Sequence, residues 1–393
     1  MSEYVGQVCT TCLELLGTVS PSIFFASLAS TLIGVVVLLY LFLFAVAFKP
    51  RSSFAEEMKY RTLAEDGQIT KPRQLPCWQD SWERARKQTP NKRDLLIEKP
   101  EVFMSVVVPA YNEEERLVGM LEETVDYLEE AYGTSATNGG QGKKGKTTRQ
   151  RKANGGQSNG HAVATTSDSS KGWEVLIVSD GSIDKTEQVA FTFAQNHGVP
   201  SDSVRVITLT ENRGKGGAVT HGMRHARGQY VVFADADGAS KFADLGKLVE
   251  ACEQAQDASG RAVAVGSRAH MVGSEAVVKR SKLRNFLMHS FHLILWLLTP
   301  HATAKIKDTQ CGFKLFSRAS LPDIIPYMHS EGWIFDVEML MLAEFARIPV
   351  AEVPVGWREV KGSKLNVVWD SIGMAWGLFV LRASWGLGVY RRT

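Results

Sequence analysis

The sequence predicts an α/β protein: a mostly parallel sheet flanked by helices, preceded by one N-terminal transmembrane helix and followed by interfacial C-terminal helices. Three observations predict it. From Val102 onward, apolar runs of strand length alternate with segments of helical periodicity. Those runs do not alternate apolar with polar residues, so both faces of each strand are buried, as in a parallel sheet covered by helices. Residues 22–48 carry no charge, and as a helix they are about 40 Å long, enough to cross a ~30 Å hydrocarbon core.

Taken in order, residues 1–21 form a short N-terminus expected on the lumenal side, and residues 22–48 form the span. A cleaved signal peptide fits poorly, because the apolar run is too long and no Lys or Arg precedes it. Lys49, Arg51, Lys59 and Arg61 follow, and the positive-inside rule then puts the body in the cytoplasm. Residues 49–100 read as a juxtamembrane linker, and residues 101–365 as the main α/β domain.

That domain opens with the strand "VFMSVVVPA" and a helix on which Leu117, Leu121, Val125 and Leu128 share a face, with Asn112 and Glu115 as its N-cap pair. Residues 133–170, rich in Gly, Ser, Thr and Asn with a basic middle, lack the apolar residues that offset ordering entropy and read as a disordered insertion. Then come "WEVLIVSD", a helix through Val189 and Phe193, "VRVITLT", a glycine-opened helix, "YVVFADAD", a polar helix from Phe242, and "AVAVGS". Residues 286–298, which follow the basic cluster Lys279, Arg280, Lys282 and Arg284, read equally as a core helix or a helix lying in a membrane interface, while the tail 366–393, with Trp and basic residues beside aliphatic ones, reads as an amphipathic interface helix.

Composition excludes some functions. A net charge of +3 on 393 residues makes no global polycation, so no nucleic-acid partner is expected. The 5 cysteines are too scattered for a disulfide framework, and the Cys9/Cys12 pair lacks the second pair that a zinc site needs.

The chemistry collects at strand ends. In a parallel sheet, ligands bind outside the carboxyl ends of the strands. There Asp235 and Asp237 emerge one residue apart after a buried strand, a pair that repels itself unless a cation stands by. A divalent metal bridging a diphosphate meets that need, since Mg²⁺ takes few protein carboxylates plus phosphate oxygens. Gly214, Gly216 and Gly217 open a helix whose N-terminus can take an anion, with Lys215 adding charge. Asp180 ends another strand, where it can accept a hydrogen bond from a base or ribose.

Together "SVVVPAYNEEERL", "VSDGSIDKT", "NRGKGGA", "FADADGA", "GSRAH", "DTQCGFKLF", "GWIFDVEML" and "GSKLN" resemble the motifs of inverting family-two glycosyltransferases with the GT-A fold, a Rossmann-like sheet flanked by helices. The resemblance covers residues 102–366 apart from the insertion, and is strongest to the enzymes that glycosylate polyprenyl phosphates. It implies UDP-glucose as donor, dolichyl phosphate in the bilayer as acceptor and Mg²⁺ or Mn²⁺ as cofactor. The implied place is the endoplasmic reticulum membrane, single-pass, with the catalytic domain facing the cytosol. By position, Pro109, Tyr111, Glu113 and Asp180 line the nucleoside pocket, while Asp235, Ala236 and Asp237 sit at the diphosphate, with Asp237 the direct metal ligand. Arg268, Arg358 and Lys364 match basic positions that close over the phosphates, and Asp336 is the candidate base or orienting carboxylate, read here as orienting.

Two departures stand out. Ser179 replaces the first Asp of the "DDGS" of many relatives, and Ala239 stands where related mannosyltransferases offer Gln to the metal. Rival readings are a dolichyl-phosphate mannosyltransferase using GDP-mannose and a non-catalytic, membrane-anchored nucleotide-sugar-binding protein. A processive polysaccharide synthase would need a QxxRW motif and several spans, and the sequence has neither.

Overall fold

In the computed structural model, nine strands among the described residues form one sheet: β1 (Lys59–Thr62), β2 (Arg73–Gln74), β3 (Val102–Ala110), β4 (Trp173–Asp180), β5 (Val204–Leu209), β6 (Gly228–Ala234), β7 (Val263–Ser267), β8 (Phe313–Ser317) and β9 (Val350–Pro354). The described residues are 20–88, 97–133, 171–271, 295, 297–360 and 367–392. Cys9, Cys12, nearly all of the insertion, most of the 286–298 segment and Lys364 lie outside them.

The strand order is β2-β1-β5-β4-β3-β6-β8-β7-β9. The central strands β5, β4, β3 and β6 run parallel and are almost wholly buried, mostly with apolar side chains, while the buried Ser105, Glu174 and Arg205 satisfy one another. The flanks depart from the expected mostly parallel sheet: β1 joins β2 and β5 antiparallel, and β8 runs antiparallel to both β6 and β7. The sheet is therefore mixed. Strand direction is set by the route of the connections rather than by strand composition, so "FKLFS" carries no mark of it.

The helices used below are α1 (Pro21–Val46), α2 (Trp78–Gln88), α3 (Leu117–Tyr132), α4 (Thr186–Asn196), α5 (Lys215–Arg224), α6 (Leu245–Ala255), α7 (Phe335–Phe345) and α8 (Val367–Gly386). On α3, Leu117, Leu121, Val125 and Leu128 are buried together with Met120 and Thr124, the expected face. Its start differs from the expected cap. The helix begins at Leu117, because Asn112 adopts φ 54 and its Oδ1 accepts a hydrogen bond from Ile183 N at 2.9 Å. The side chain expected to cap the helix ties two loops together instead.

Residues 49–100 are expected as a linker, but among those described β1 and β2 extend the sheet and the neighbouring residues pack against the domain. β1 pairs with β5, the Trp78 Nε1 donates to Met223 O at 2.7 Å, and Glu57 is fully buried. The buried residues of β1 are only every second one, a polar-alternating pattern that reads as linker when searched for apolar runs.

The chain forms two compact units, Lys49–Ala375 and the terminal segments Met1–Phe48 with Trp376–Thr393. In the terminal unit, Ser22–Val46 has a mean hydropathy of 2.6 and is long and apolar enough to cross a membrane. Tyr390 Oη donates to Phe48 O at 2.9 Å. On α8, Trp369, Ile372, Trp376 and Phe379 remain exposed at spacings that share one face.

Candidate active site

Because β5, β4, β3 and β6 are parallel, Leu209, Asp180, Ala110 and Ala234 end on one edge of the sheet, and the residues that follow each of them meet there. The first two loops are cross-linked. Asn112 N donates to Ser182 Oγ at 3.1 Å, Glu113 N to Thr186 Oγ1 at 2.7 Å and Lys185 N to Glu114 Oε2 at 2.9 Å. Pro109 lies within β3, and Tyr111 is half-exposed just beyond it. The Glu113 carboxylate holds Arg116 in two bonds, at 2.7 and 2.6 Å.

Asp180 is buried at the end of β4, and its Oδ1 accepts the Arg213 backbone N–H at 2.7 Å. Burial pushes its pKa up to about 6, against the pull of the Arg213 and Gly214 N–H groups. The glycines at the start of α5 are needed for packing. A Cβ on Gly214, at φ +81, would lie 2.7 Å from Glu331 O, and one on Gly216 2.5 Å from Phe335 Cβ. Gly217 N already donates to Glu331 O at 3.1 Å, so the helix start is less bare than the sequence suggests.

Beyond β6, Asp235 and Asp237 project with side chains 29% and 28% exposed, and Ala236 turns into the core. Burial, then the neighbouring Asp235 charge, raises the Asp237 pKa. Arg116 Nη1 lies 3.9 Å from Asp237 Oδ2. Lys215 Nζ lies 2.6 Å from Asp235 Oδ1. That oxygen is buried, and its contact with Lys215 is a short, charge-assisted one between ammonium and carboxylate. Burial opposes the Lys215 charge, but Asp235, Asp336 and Asp237 outweigh it and raise its pKa.

Asp336, in the first turn of α7, pairs with Lys314 of β8, and both are buried. Lys314 also donates to Cys311 O at 2.6 Å. Burial raises the Asp336 pKa against the pull of Lys314 and Lys215. Arg268 follows β7 and is held by Asp308 through Nε at 2.7 Å and Nη2 at 2.9 Å. Arg358 donates through Nε to Gly238 O at 3.1 Å and through its backbone N to Ala239 O at 2.8 Å, while its side chain stays 65% exposed.

The structure thus gathers Asp235, Asp237, Lys215 and Asp336 around the end of β6, and keeps Arg268 engaged with Asp308. Sequence reasoning missed Lys314, Asp308 and Gly312 as functional parts, although all lie in "DTQCGFKLF". A lysine inside an apolar strand is itself a signal, because a buried ammonium requires a partner.

The donor set fits a divalent cation that shares its ligands with a substrate. Two carboxylates stand at one strand end, and among the described residues Asp235 Oδ1 has only the Lys215 ammonium set against it. No cluster of three or more His, Cys, Asp or Glu among the described residues forms a self-contained metal cage. Mg²⁺ and Mn²⁺ sites completed by phosphate oxygens have this make-up.

Residues 161–324, which include Asp180, Lys215, Asp235, Asp237 and Arg268, match the family described as Glycosyl transferase family 2, and this defines the class. Over 367 residues, 92% of this chain and 93% of the relative, the sequence is 39% identical to dolichyl-phosphate β-glucosyltransferase of Saccharomyces cerevisiae. It is 40% identical over 297 residues to the human protein of that name, covering 75% of this chain and 80% of the relative. The chain belongs to the dolichyl-phosphate β-glucosyltransferase family. Among solved structures, glucosyl-3-phosphoglycerate synthase of Mycobacterium tuberculosis in complex with Mn²⁺, UDP-glucose and phosphoglyceric acid aligns with a TM-score of 0.44 and 18% identity, over 72% of this chain and 80% of that one.

Proposed function

We propose that the protein transfers glucose from UDP-glucose to dolichyl phosphate with inversion, giving dolichyl β-D-glucosyl phosphate, the lipid-linked glucose donor for protein N-glycosylation. The observation that carries the reading is the Asp235/Asp237 pair with its lysine at the carboxyl edge of the sheet, in a chain 39% identical along nearly its whole length to a dolichyl-phosphate β-glucosyltransferase. The relatives' names favour glucose over mannose, and no observation favours GDP-mannose.

Pro109, Tyr111, Glu113 and Asp180 bind the nucleoside. Asp235 and Asp237 hold Mg²⁺ or Mn²⁺ at the diphosphate, Ala236 between them anchors the turn in the core, and Lys215, Arg268, Arg358 and Lys364 face the phosphates. When bound, the cation supplies positive charge against the departing diphosphate. The lysine and arginine side chains add to that stabilisation, the term that usually dominates such catalysis.

The acceptor is a phosphate monoester with a second pKa of about 6, so it is largely dianionic near neutral pH. One of its oxygens attacks the anomeric carbon opposite UDP, the bond from glucose to UDP breaks, and UDP leaves with the electron pair. No proton must be removed from the nucleophile, so no strong base is needed. Asp336, tied to Lys314, fits a positioning role. The apolar helix α1 and the exposed apolar face of α8 support a place in a membrane, here the endoplasmic reticulum, where the acceptor's tail resides.

The test is transfer of labelled glucose from UDP-glucose into organic-soluble lipid by the purified protein. GDP-mannose serves as the competing donor. Product from UDP-glucose alone is expected, and product from GDP-mannose alone would replace the reading.

A further inference from the structure

Three carboxylates, Asp235, Asp237 and Asp336, meet two ammonium groups, Lys215 and Lys314, at the end of β6. Lys314 is committed: it lies fully buried in β8, held by Asp336 and the Cys311 carbonyl. Lys215 is not built in the same way. Its side chain is 18% exposed, it starts α5 beside a glycine, and among the described residues Asp235 is its only ion-pair partner, with no second anchor like the carbonyl that holds Lys314. An ammonium on a four-carbon stem is a point charge that can be redirected at little cost.

The oxygen it occupies belongs to the carboxylate assigned above to the divalent cation. An ammonium and a divalent cation on one carboxylate oxygen repel each other at short range. Both therefore do not stay there.

We propose that Lys215 is a displaceable counter-ion: it neutralises Asp235 in the cation-free protein, is expelled when the divalent cation binds, and then turns to the donor's diphosphate. The inference rests on the reading of the site under Proposed function. Lys215 is the first residue of α5, and although Gly217 N is taken by Glu331 O, the helix dipole still favours an anion beside the released ammonium. One side chain thereby couples two binding events. The cation frees the lysine for the donor, and by reciprocity the donor draws the lysine away from Asp235 and tightens the cation.

The test is Mn²⁺ binding to the full-length protein in detergent, followed by the electron paramagnetic resonance of free Mn²⁺, with and without UDP-glucose. Lys215→Met is expected to bind Mn²⁺ at least about tenfold more tightly than wild type in the absence of nucleotide. UDP-glucose should then add less to Mn²⁺ affinity than it does in wild type. Lys215→Arg, which keeps the charge, should stay near wild type, and Lys215→Met placed on Asp235→Asn should have no further effect. Unchanged or weaker Mn²⁺ binding by Lys215→Met overturns the proposal.

A second measurement uses wild type alone. Mn²⁺ without nucleotide should increase labelling of Lys215 by an amine-reactive reagent, read by peptide mass spectrometry, and an unchanged level counts against displacement. Mn²⁺ binding that ignores Lys215 sinks only this inference. Failure to bind Mn²⁺ even with UDP-glucose sinks the metal reading and this inference with it.

Discussion

Gly312 shows how little room surrounds Asp235: a Cβ there would lie 2.0 Å from Oδ2. Gly312→Ala must push the carboxylate off its position, and a misplacement of about 1 Å at a reacting centre costs on the order of a hundredfold in rate. We expect Gly312→Ala to lose about that much kcat in the lipid-extraction assay while the far-UV circular dichroism stays unchanged. Asp180 gives a pH prediction. Its folded pKa, about 6, lies above the ordinary value of 3.8, so the stability it contributes is full below 3.8 and lost as pH rises through 6. Its capacity to accept a hydrogen bond from the nucleoside runs the other way and appears above 6. UDP-glucose affinity, measured calorimetrically, should fall as pH drops through about 6, and Asp180→Asn should flatten that limb.

Among the elements, β8 does most to set the site, and its direction is what matters. Running antiparallel between β6 and β7, it sets Lys314 opposite Phe233 on one side and Val265 on the other, within reach of Asp336 on α7. Removing one partner of a buried ion pair leaves the other charge uncompensated, which costs about 3–5 kcal/mol. Lys314→Met should lower the stability of the protein by that amount in urea titration, and lower activity with it. The segment carrying β1 and α2 acts on the opposite flank. Glu57 accepts the Thr210 N–H at 3.0 Å and the Arg213 guanidinium at 2.6 Å, which fixes the loop that leads into α5. The start of α5, and with it Lys215, is thereby positioned by residues close to the apolar N-terminal helix in sequence.

For the molecule as a whole, the proposed reaction joins a water-soluble donor to an acceptor whose tail stays in lipid. The two tasks map onto different parts of the chain: Lys49–Ala375 carries the sheet and its edge, and the terminal segments carry the long apolar helix Ser22–Val46. Deleting residues 1–48 should leave UDP-glucose affinity within about twofold of the full chain. Transfer to long-chain acceptor in vesicles should fall at least about tenfold, because the chain loses the advantage of being held at the acceptor's surface. Equal rates on vesicle-borne and short-chain acceptors after the deletion would remove the purpose given to the span.

The sequence by itself determined the strand–helix alternation, the parallel centre of the sheet, the apolar span and the acids at the strand ends. Each of these is a local property, set by runs of side chains within a few residues of one another. Only the tertiary structure decided that β1 and β2 extend the sheet, that β8 runs against its neighbours, that Asn112 ties two loops together instead of capping α3, and that Arg268 is held by Asp308. It also decided the pairings of Lys215 with Asp235 and of Lys314 with Asp336. Those outcomes depend on which distant groups must neutralise or pack against each other once water is gone, and no local pattern encodes that choice.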